Sequence, residues 1–253
     1  MKKSLLILLC AFCVFSVKAQ FQKPEDAKMK PEMTEFWDPE VTVVTPGDKP
    51  SDAPSDAIVL FDGTSASLMQ NWTNNKGEAP GWKAADNCVT VVKGAGDIKT
   101  KMNFEDVQLH IEWRTPAEVV GTSQGRGNSG VYFQGLYELQ VLDDYDNRTY
   151  RNGQAGSFYK QYAPLVNVCK KPGVWQSYDV IYTAPRFKED GSVFSPARAT
   201  VLQNGVLVQN NVELFGPTEY IGIPKYKKHG PAPLLLQNHN NPVSYRNVWI
   251  RKL

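Results

Sequence analysis

Polar and apolar positions alternate with a period of two along much of this chain, the spacing of half-buried strands. In VQLHIEWR (107–114), Val107, Leu109, Ile111 and Trp113 fall on one face, and Gln108, His110, Glu112 and Arg114 on the other. YELQV (137–141) repeats the pattern: Tyr137, Leu139 and Val141 share a core-like face, while Glu138 and Gln140 share the opposite one. Further strand segments are IVLF (58–61), CVTVV (88–92), the run GVYFQGLYELQVLD (130–143), YDVIYT (178–183), LLLQNH (234–239) and YRNVWIRKL (245–253). TVLQ and VLVQ flank Asn204-Gly205, a strong hairpin signal. No segment keeps an apolar period of 3.6 over a helix length. Many short strands with tight turns predict an all-β fold, a two-sheet antiparallel sandwich or a barrel, with one sheet face wet.

The flanking segments divide the chain into three parts. Residues 1–19, MKKSLLILLCAFCVFSVKA, have the basic start (Lys2, Lys3), the apolar stretch (Leu5 to Val17) and the small-residue end of a secretory signal peptide. A lipid anchor at Cys10 or Cys13 is the minority alternative. Export to the periplasm or beyond is the expectation. Residues 20–56 carry Pro24, Pro31, Pro39, Pro46, Pro50 and Pro54, the composition of an extended arm or linker. Phe36 and Trp37 are its expected anchors on the main domain. Residues 57–253 suffice for one sizeable core.

Charge and cysteine content narrow the function. Loss of Lys2, Lys3 and Lys18 takes the formal charge from +2 to −1, which gives no electrostatic case for nucleic acid or an anionic membrane. No later segment is apolar enough to span a bilayer as a helix. After signal removal Cys88 and Cys169 remain, as a disulfide or as two free thiols.

The usual signatures of hydride transfer, phosphoryl transfer, serine hydrolysis and zinc proteolysis are missing. What remains are polar side chains projected from strands. Glu112, Arg114, Glu138 and Gln140, with the nearby Tyr132, Gln134 and Tyr145, suit a sugar, whose hydroxyls need fixed donors and acceptors and whose C–H faces stack on rings. The same residues also fit an exposed charge pair and a solvated sheet face. Asp143, Asp144, Asp146 and Asn147 read as a turn, or as oxygen ligands for a hard cation. In RGNSGVYFQG (126–135), Arg126 and Asn128 could hold an anionic or carbonyl oxygen where glycines allow close approach. Among the histidines, His239 at a strand end is the leading general base, His110 on a polar strand face comes second, and His229 in KYKKHGP reads as a surface residue.

Read in order, FDGTS (61–65), LHIEWRTP (109–116), GNSGVYFQGLYELQVLDDY (127–145), PGVWQSYDVIY (172–182), the NGV of 204–206 and LLLQNHNNPVSYRNVWIRKL (234–253) resemble the bacterial 3-keto-disaccharide hydrolase domain family. The resemblance covers Ala57–Leu253. It implies a concanavalin A-like jelly roll of two curved antiparallel sheets with the site on the concave face. It also implies cleavage of glycosides whose C3 hydroxyl has been oxidised to a ketone. That chemistry needs a base at C2, donors or a divalent cation at the developing enolate, and an acid for the leaving oxygen. For that route we assign His239 as base, Arg126 or the cation at the enolate, and Glu138 or Asp143 as acid. Glu112, Arg114, Asn128, Gln140 and Gln237 then orient the sugar. Two alternatives stand beside it: a conventional glycoside hydrolase using Glu138 and Asp143, and a non-catalytic sugar-binding module. Against the former, Gln140 stands where glucanases of this fold carry the middle acid of E-x-D-x-x-E.

Overall fold

The structure is a computed structural model that describes residues 29–253. The signal-peptide expectation (1–19) and the start of the arm lie outside the described residues. Residues 44–253 form one compact unit. In the segment before it, Pro31–Thr34 make one 3-10 turn with proline at its start. Phe36 and Trp37, the expected anchors, are exposed instead. Within the compact unit the arm is held by polar contacts: the Ser51 carbonyl accepts from Asn247 Nδ2 and Trp249 Nε1, at 2.8 and 2.9 Å.

Two antiparallel sheets enclose the core. The strands are β1 (Ile58–Phe61), β2 (Trp72–Asn74), β3 (Lys83–Ala85), β4 (Cys88–Thr90), β5 (Ile98–Phe104), β6 (Val107–Arg114), β7 (Ser129–Phe133), β8 (Tyr137–Val141), β9 (Gln176–Thr183), β10 (Arg186–Phe187), β11 (Val193–Ser195), β12 (Arg198–Gln203), β13 (Val206–Glu213), β14 (Ala232–Leu236) and β15 (Ser244–Lys252). The larger sheet has eight strands, in the order β13-β12-β9-β6-β15-β4-β3 with β1 also on β15. The smaller has five, β2-β5-β14-β7-β8, and β10-β11 form a separate ribbon. This is the concanavalin A-like jelly-roll sandwich expected from the sequence.

The alternation on β6 is borne out: Val107, Leu109, Ile111 and Trp113 are all buried in the core. The long run 130–143 is two strands, because Gln134 and Gly135 both take positive φ (52° and 66°) and turn the chain back. That left-handed pair sits at the centre of a turn closed by Leu136 N–H donating to the Phe133 carbonyl at 3.0 Å, in a three-residue loop between Phe133 and Tyr137. It sets Tyr132 opposite Glu138 and Gly130 opposite Gln140. A short helix of about two turns, α1 (Ser65–Asn71), follows FDGT, where the Thr64 side chain accepts from Ser67 N–H and supplies the N-cap. Cys88 and Cys169 are both free.

Three tyrosines of the larger sheet cross the core and end on the smaller one. Tyr178 Oη donates to the Gln140 carbonyl at 2.6 Å and accepts from Gly156 N–H at 2.8 Å. Tyr245 Oη donates to Ser129 Oγ at 2.6 Å, and Ser129 Oγ donates to the Gln237 carbonyl at 2.6 Å. Tyr182 Oη donates to Gln134 Oε1 at 2.9 Å. Each ring fills core volume and each hydroxyl is paired, as burial requires. Tyr178→Phe keeps the ring and removes both bonds, so it is expected to lower unfolding free energy by about 1–3 kcal/mol. Urea unfolding at unchanged m-value is the measurement.

Candidate active site: a hydroxyl- and amide-lined cavity

The outer face of the five-stranded sheet carries a cavity of about 730 Å3, lined by Gln124, Gly125, Asn128, Tyr132, Glu138, Gln140, Tyr150, Tyr159, Thr218, Tyr220, Gln237 and His239. Strand parity explains its floor. Tyr132 of β7 and Glu138 and Gln140 of β8 point away from the core that Val131, Phe133, Leu139 and Val141 fill. Gln237 and His239 follow the end of β14.

Its walls come from two segments that cover the free edge of β8. The first runs through residues 150–160. Gln140 N–H donates to the Ser157 carbonyl, while Gly156 and Tyr159 N–H donate to the carbonyls of Gln140 and Glu138. Tyr150 and Tyr159 thereby reach the cavity, their hydroxyls 2.6 Å apart. The second joins β13 to β14. Glu138 N–H donates to Thr218 Oγ1 at 2.9 Å, and Thr218 N–H donates to the Leu136 carbonyl at 2.8 Å. An exposed strand edge invites unwanted pairing; here covering it also builds the cavity.

Glu138 is the single carboxylate lining the cavity, and it is 4% exposed. Burial pushes its carboxyl up to about 7, against an opposing pull from the Tyr132 hydroxyl. It has room because residue 130 is glycine: a Cβ there would lie 2.5 Å from Glu138 Oε1 and 2.9 Å from the Tyr132 ring. Around it the amides are partly paired. Gln140 Nε2 donates to Asn128 Oδ1 at 3.2 Å, Asn128 Nδ2 donates to the Gln124 carbonyl at 2.7 Å, and Gln237 Nε2 donates to the Tyr132 hydroxyl at 3.2 Å. The Oε1 atoms of Gln140 and Gln237 are buried and accept no hydrogen bond. Such acceptors beside a cavity suit a ligand rich in hydroxyls.

Of the residues singled out from sequence, the fold brings together Glu138, Gln140, Asn128, Gln237 and His239. Four others lie elsewhere. Arg126 Nε donates to Asp143 Oδ2 at 2.6 Å, and Arg126 Nη2 to the Tyr145 carbonyl at 2.8 Å. This pair lines a separate pocket with Pro116, Val119 and Val120. Tyr145 N–H and Asn147 Nδ2 close an Asp-led turn on Asp143, the turn reading of 143–147. Asp144, beside it, is buried, accepts from Ala155 N–H and is raised by burial to about 7.

Glu112 and Arg114 lie on the outer face of the eight-stranded sheet, across the core from the cavity. Glu112 Oε2 accepts from Arg246 Nε at 2.7 Å and Oε1 from Asn247 at 3.0 Å. The guanidinium groups of Arg114 and Arg246 lie 4.6 and 4.2 Å from the Trp175 ring centroid. His110 is buried there too, its Nδ1 2.6 Å from Asp179 Oδ1. Burial disfavours its charge, but the Asp179 and Glu112 carboxylates outweigh this and raise it to about 9. His229 is not a free surface residue, for its Nε2 lies 2.8 Å from the Tyr137 hydroxyl.

The sequence reading missed Gln124, Tyr150, Tyr159, Thr218 and Tyr220. Tyrosines in otherwise polar loops were their one visible signal. Among the described residues no group of three or more His, Cys, Asp or Glu side chains could hold a metal ion. One carboxylate and one imidazole do not fit the divalent cation that the enolate chemistry left open.

No curated protein matches the chain. A crystal structure from Parabacteroides distasonis, provisionally described as a glycosyl hydrolase, is similar at 53% identity, with 90% of this chain and 98% of that one covered and a TM-score of 0.85. A second from the same organism, with the same provisional description, shares 21% identity over 78% of this chain and 94% of its own, at a TM-score of 0.58. At that identity the likeness shows the fold alone. The family model for the 3-keto-alpha-glucoside-1,2-lyase-like domain matches residues 56–251, and the chain belongs to that family.

Proposed function

We propose that the protein is an exported carbohydrate-active enzyme that cleaves 3-keto-glycosides by elimination and hydration. The observation that carries this reading is Glu138, a carboxyl near half-protonation at neutral pH, set in a cavity of hydroxyls and amides that His239 also lines. A C3 ketone makes the C2 hydrogen acidic. His239 removes that proton, the C1–O bond breaks, and the electron pair forms the C1=C2 enone. Glu138, protonated, gives its proton to the departing oxygen. Water then adds its oxygen to C1 and a proton returns to C2, so the net change is hydrolysis. Gln140, Gln237 and Asn128 hold the sugar hydroxyls and the developing enolate oxygen.

The conventional alternative needs a second carboxyl about 5–5.5 Å away across the bond for retention. Asp143, its nominated partner, is ion-paired with Arg126 in a different pocket. A binding module, for its part, has no need of a carboxyl near half-protonation. Export follows from the signal-like residues 1–19.

Purified protein incubated with a 3-keto-glucoside and with its unoxidised parent is expected to release aglycone from the keto sugar alone. Release from the parent sugar alone would sink the proposal. Glu138→Gln is expected to slow the reaction about 100-fold or more. Since Glu138 acts as acid, kcat should fall as pH rises through about 7, and that limb should vanish in the variant.

Gly130→Ala is expected to displace the Glu138 carboxylate and cut kcat about as severely, while circular dichroism shows the strands intact.

Glu138 and Asp144 also make stability depend on pH. Both are raised in the folded chain, to about 7, so their contribution is full below the unfolded values near 4 and is lost as pH rises through 7. His110, raised to about 9, acts in the same direction above 6.5. The melting temperature is therefore expected to fall from pH 5 to pH 8, and Glu138→Gln should flatten that fall.

A further inference from the structure

We propose that the open rim of the cavity, lined by Tyr150, Tyr159 and Tyr220 and continued along the chain by the exposed Ile221 and Ile223, is an aglycone subsite that selects glycosides with a flat, apolar leaving group. The inference rests on the reading of the floor as the sugar site, and it deepens that reading.

The floor and the rim differ in chemistry. Glu138, Gln140, Asn128 and Gln237 offer donors and acceptors, whereas the opposite lip offers three phenol rings. Tyr159 is nearly buried, Tyr150 is 39% exposed and Tyr220 is 70% exposed, so the rings form a ramp from floor to solvent. Beyond Tyr220, Ile221 and Ile223 are each 81% exposed. Aliphatic side chains neither bond nor stack on hydroxyls. A second sugar would gain from the tyrosines but not from the isoleucines, whereas an apolar ring gains from both. Apolar side chains gathered beside a cavity mark a ligand surface more often than scattered ones do.

The lip is fixed rather than loose. Lys160 Nζ donates to the Tyr220 carbonyl and stands 4.3 Å from the centroid of that ring, a cation–π position. Gln161 ties the same two segments together: its Nε2 donates to the Gly216 carbonyl at 2.9 Å and its Oε1 accepts from Phe215 N–H at 2.7 Å. Tyr150, Tyr159 and Glu138 line the same cavity. In the proposed reaction the leaving oxygen takes its proton from Glu138, and its substituent occupies the part of the cavity that the tyrosines line.

The test is binding, by calorimetry on the full mature chain, of p-nitrophenyl glucosides and methyl glucosides of both anomers and of a glucose disaccharide. The unaltered protein is expected to bind one p-nitrophenyl glucoside about tenfold or more tighter than its methyl counterpart and than the disaccharide. Tyr220→Ala and the double variant Ile221→Ser/Ile223→Ser, both at exposed positions, should each bring that ratio to within about threefold. Equal affinities, a disaccharide preferred, no binding of any probe, or a ratio that neither variant moves would overturn the proposal. The probes are unoxidised and the readout is affinity. Failure of the elimination chemistry would thus appear in the cleavage assay with the ratio intact, and failure of the subsite would appear here.

Discussion

The floor of the cavity depends on hydroxyl groups that reach it from the opposite sheet. A single layer of β8 and β7, with an edge and a wet face, would not by itself hold a carboxylate and three amides in register. Tyr178 fixes the Gln140 carbonyl, and Tyr245 fixes the Gln237 carbonyl through Ser129. Tyr178, Gln140, Tyr245 and Ser129 are at 1% exposure or less, where an unpaired partner costs more than the bond itself contributes. The sandwich therefore does two jobs with the same side chains. The rings bury apolar surface between the sheets, and the hydroxyls set the backbone under the site.

Against that rigid base the charges are divided by partner. Arg126 and Asp143 satisfy each other in an ion pair that lines a separate pocket. Glu112 is held well below the usual carboxylate range, to about 2, by His110, Asn247 and Arg246. Glu138 has no such cation, and burial acts on it almost unopposed. Two carboxyls five residues apart in one sequence run, Glu138 and Asp143, thus differ in their partners. The difference comes from the presence or absence of a guanidinium, and strand parity does not encode it.

Much of the framework was legible in the sequence because period-two alternation is a local property. The burial of Val107, Leu109, Ile111 and Trp113, the Asn204-Gly205 hairpin and the outward face of Glu138 and Gln140 all follow from it. What alternation does not carry is which sheet a strand joins. Glu112 and Arg114 look outward as surely as Glu138 does, yet they belong to the other sheet, and outward there means the far side of the molecule. β5 went unread because Lys101, Met102 and Asn103 are all exposed and break the pattern at a register shift. The Gln134-Gly135 turn was hidden because glutamine is an uncommon partner for glycine in a left-handed pair.

The walls were illegible for a related reason. Tyr150, Tyr159, Thr218 and Tyr220 lie 12 to 82 residues from Glu138, in loops with no period at all, and reach it by pairing with the free edge of β8. That edge had to be covered by something, since an open strand beside a wet face is an aggregation hazard. Covering it with backbone hydrogen bonds leaves the side chains of the covering segments free, and those side chains give the cavity its aromatic lip. The identity of the exposed residues there is therefore little constrained by folding. Exposed Tyr220, Ile221 and Ile223 contribute little to the core, so substitutions at these positions leave the sheet beneath undisturbed.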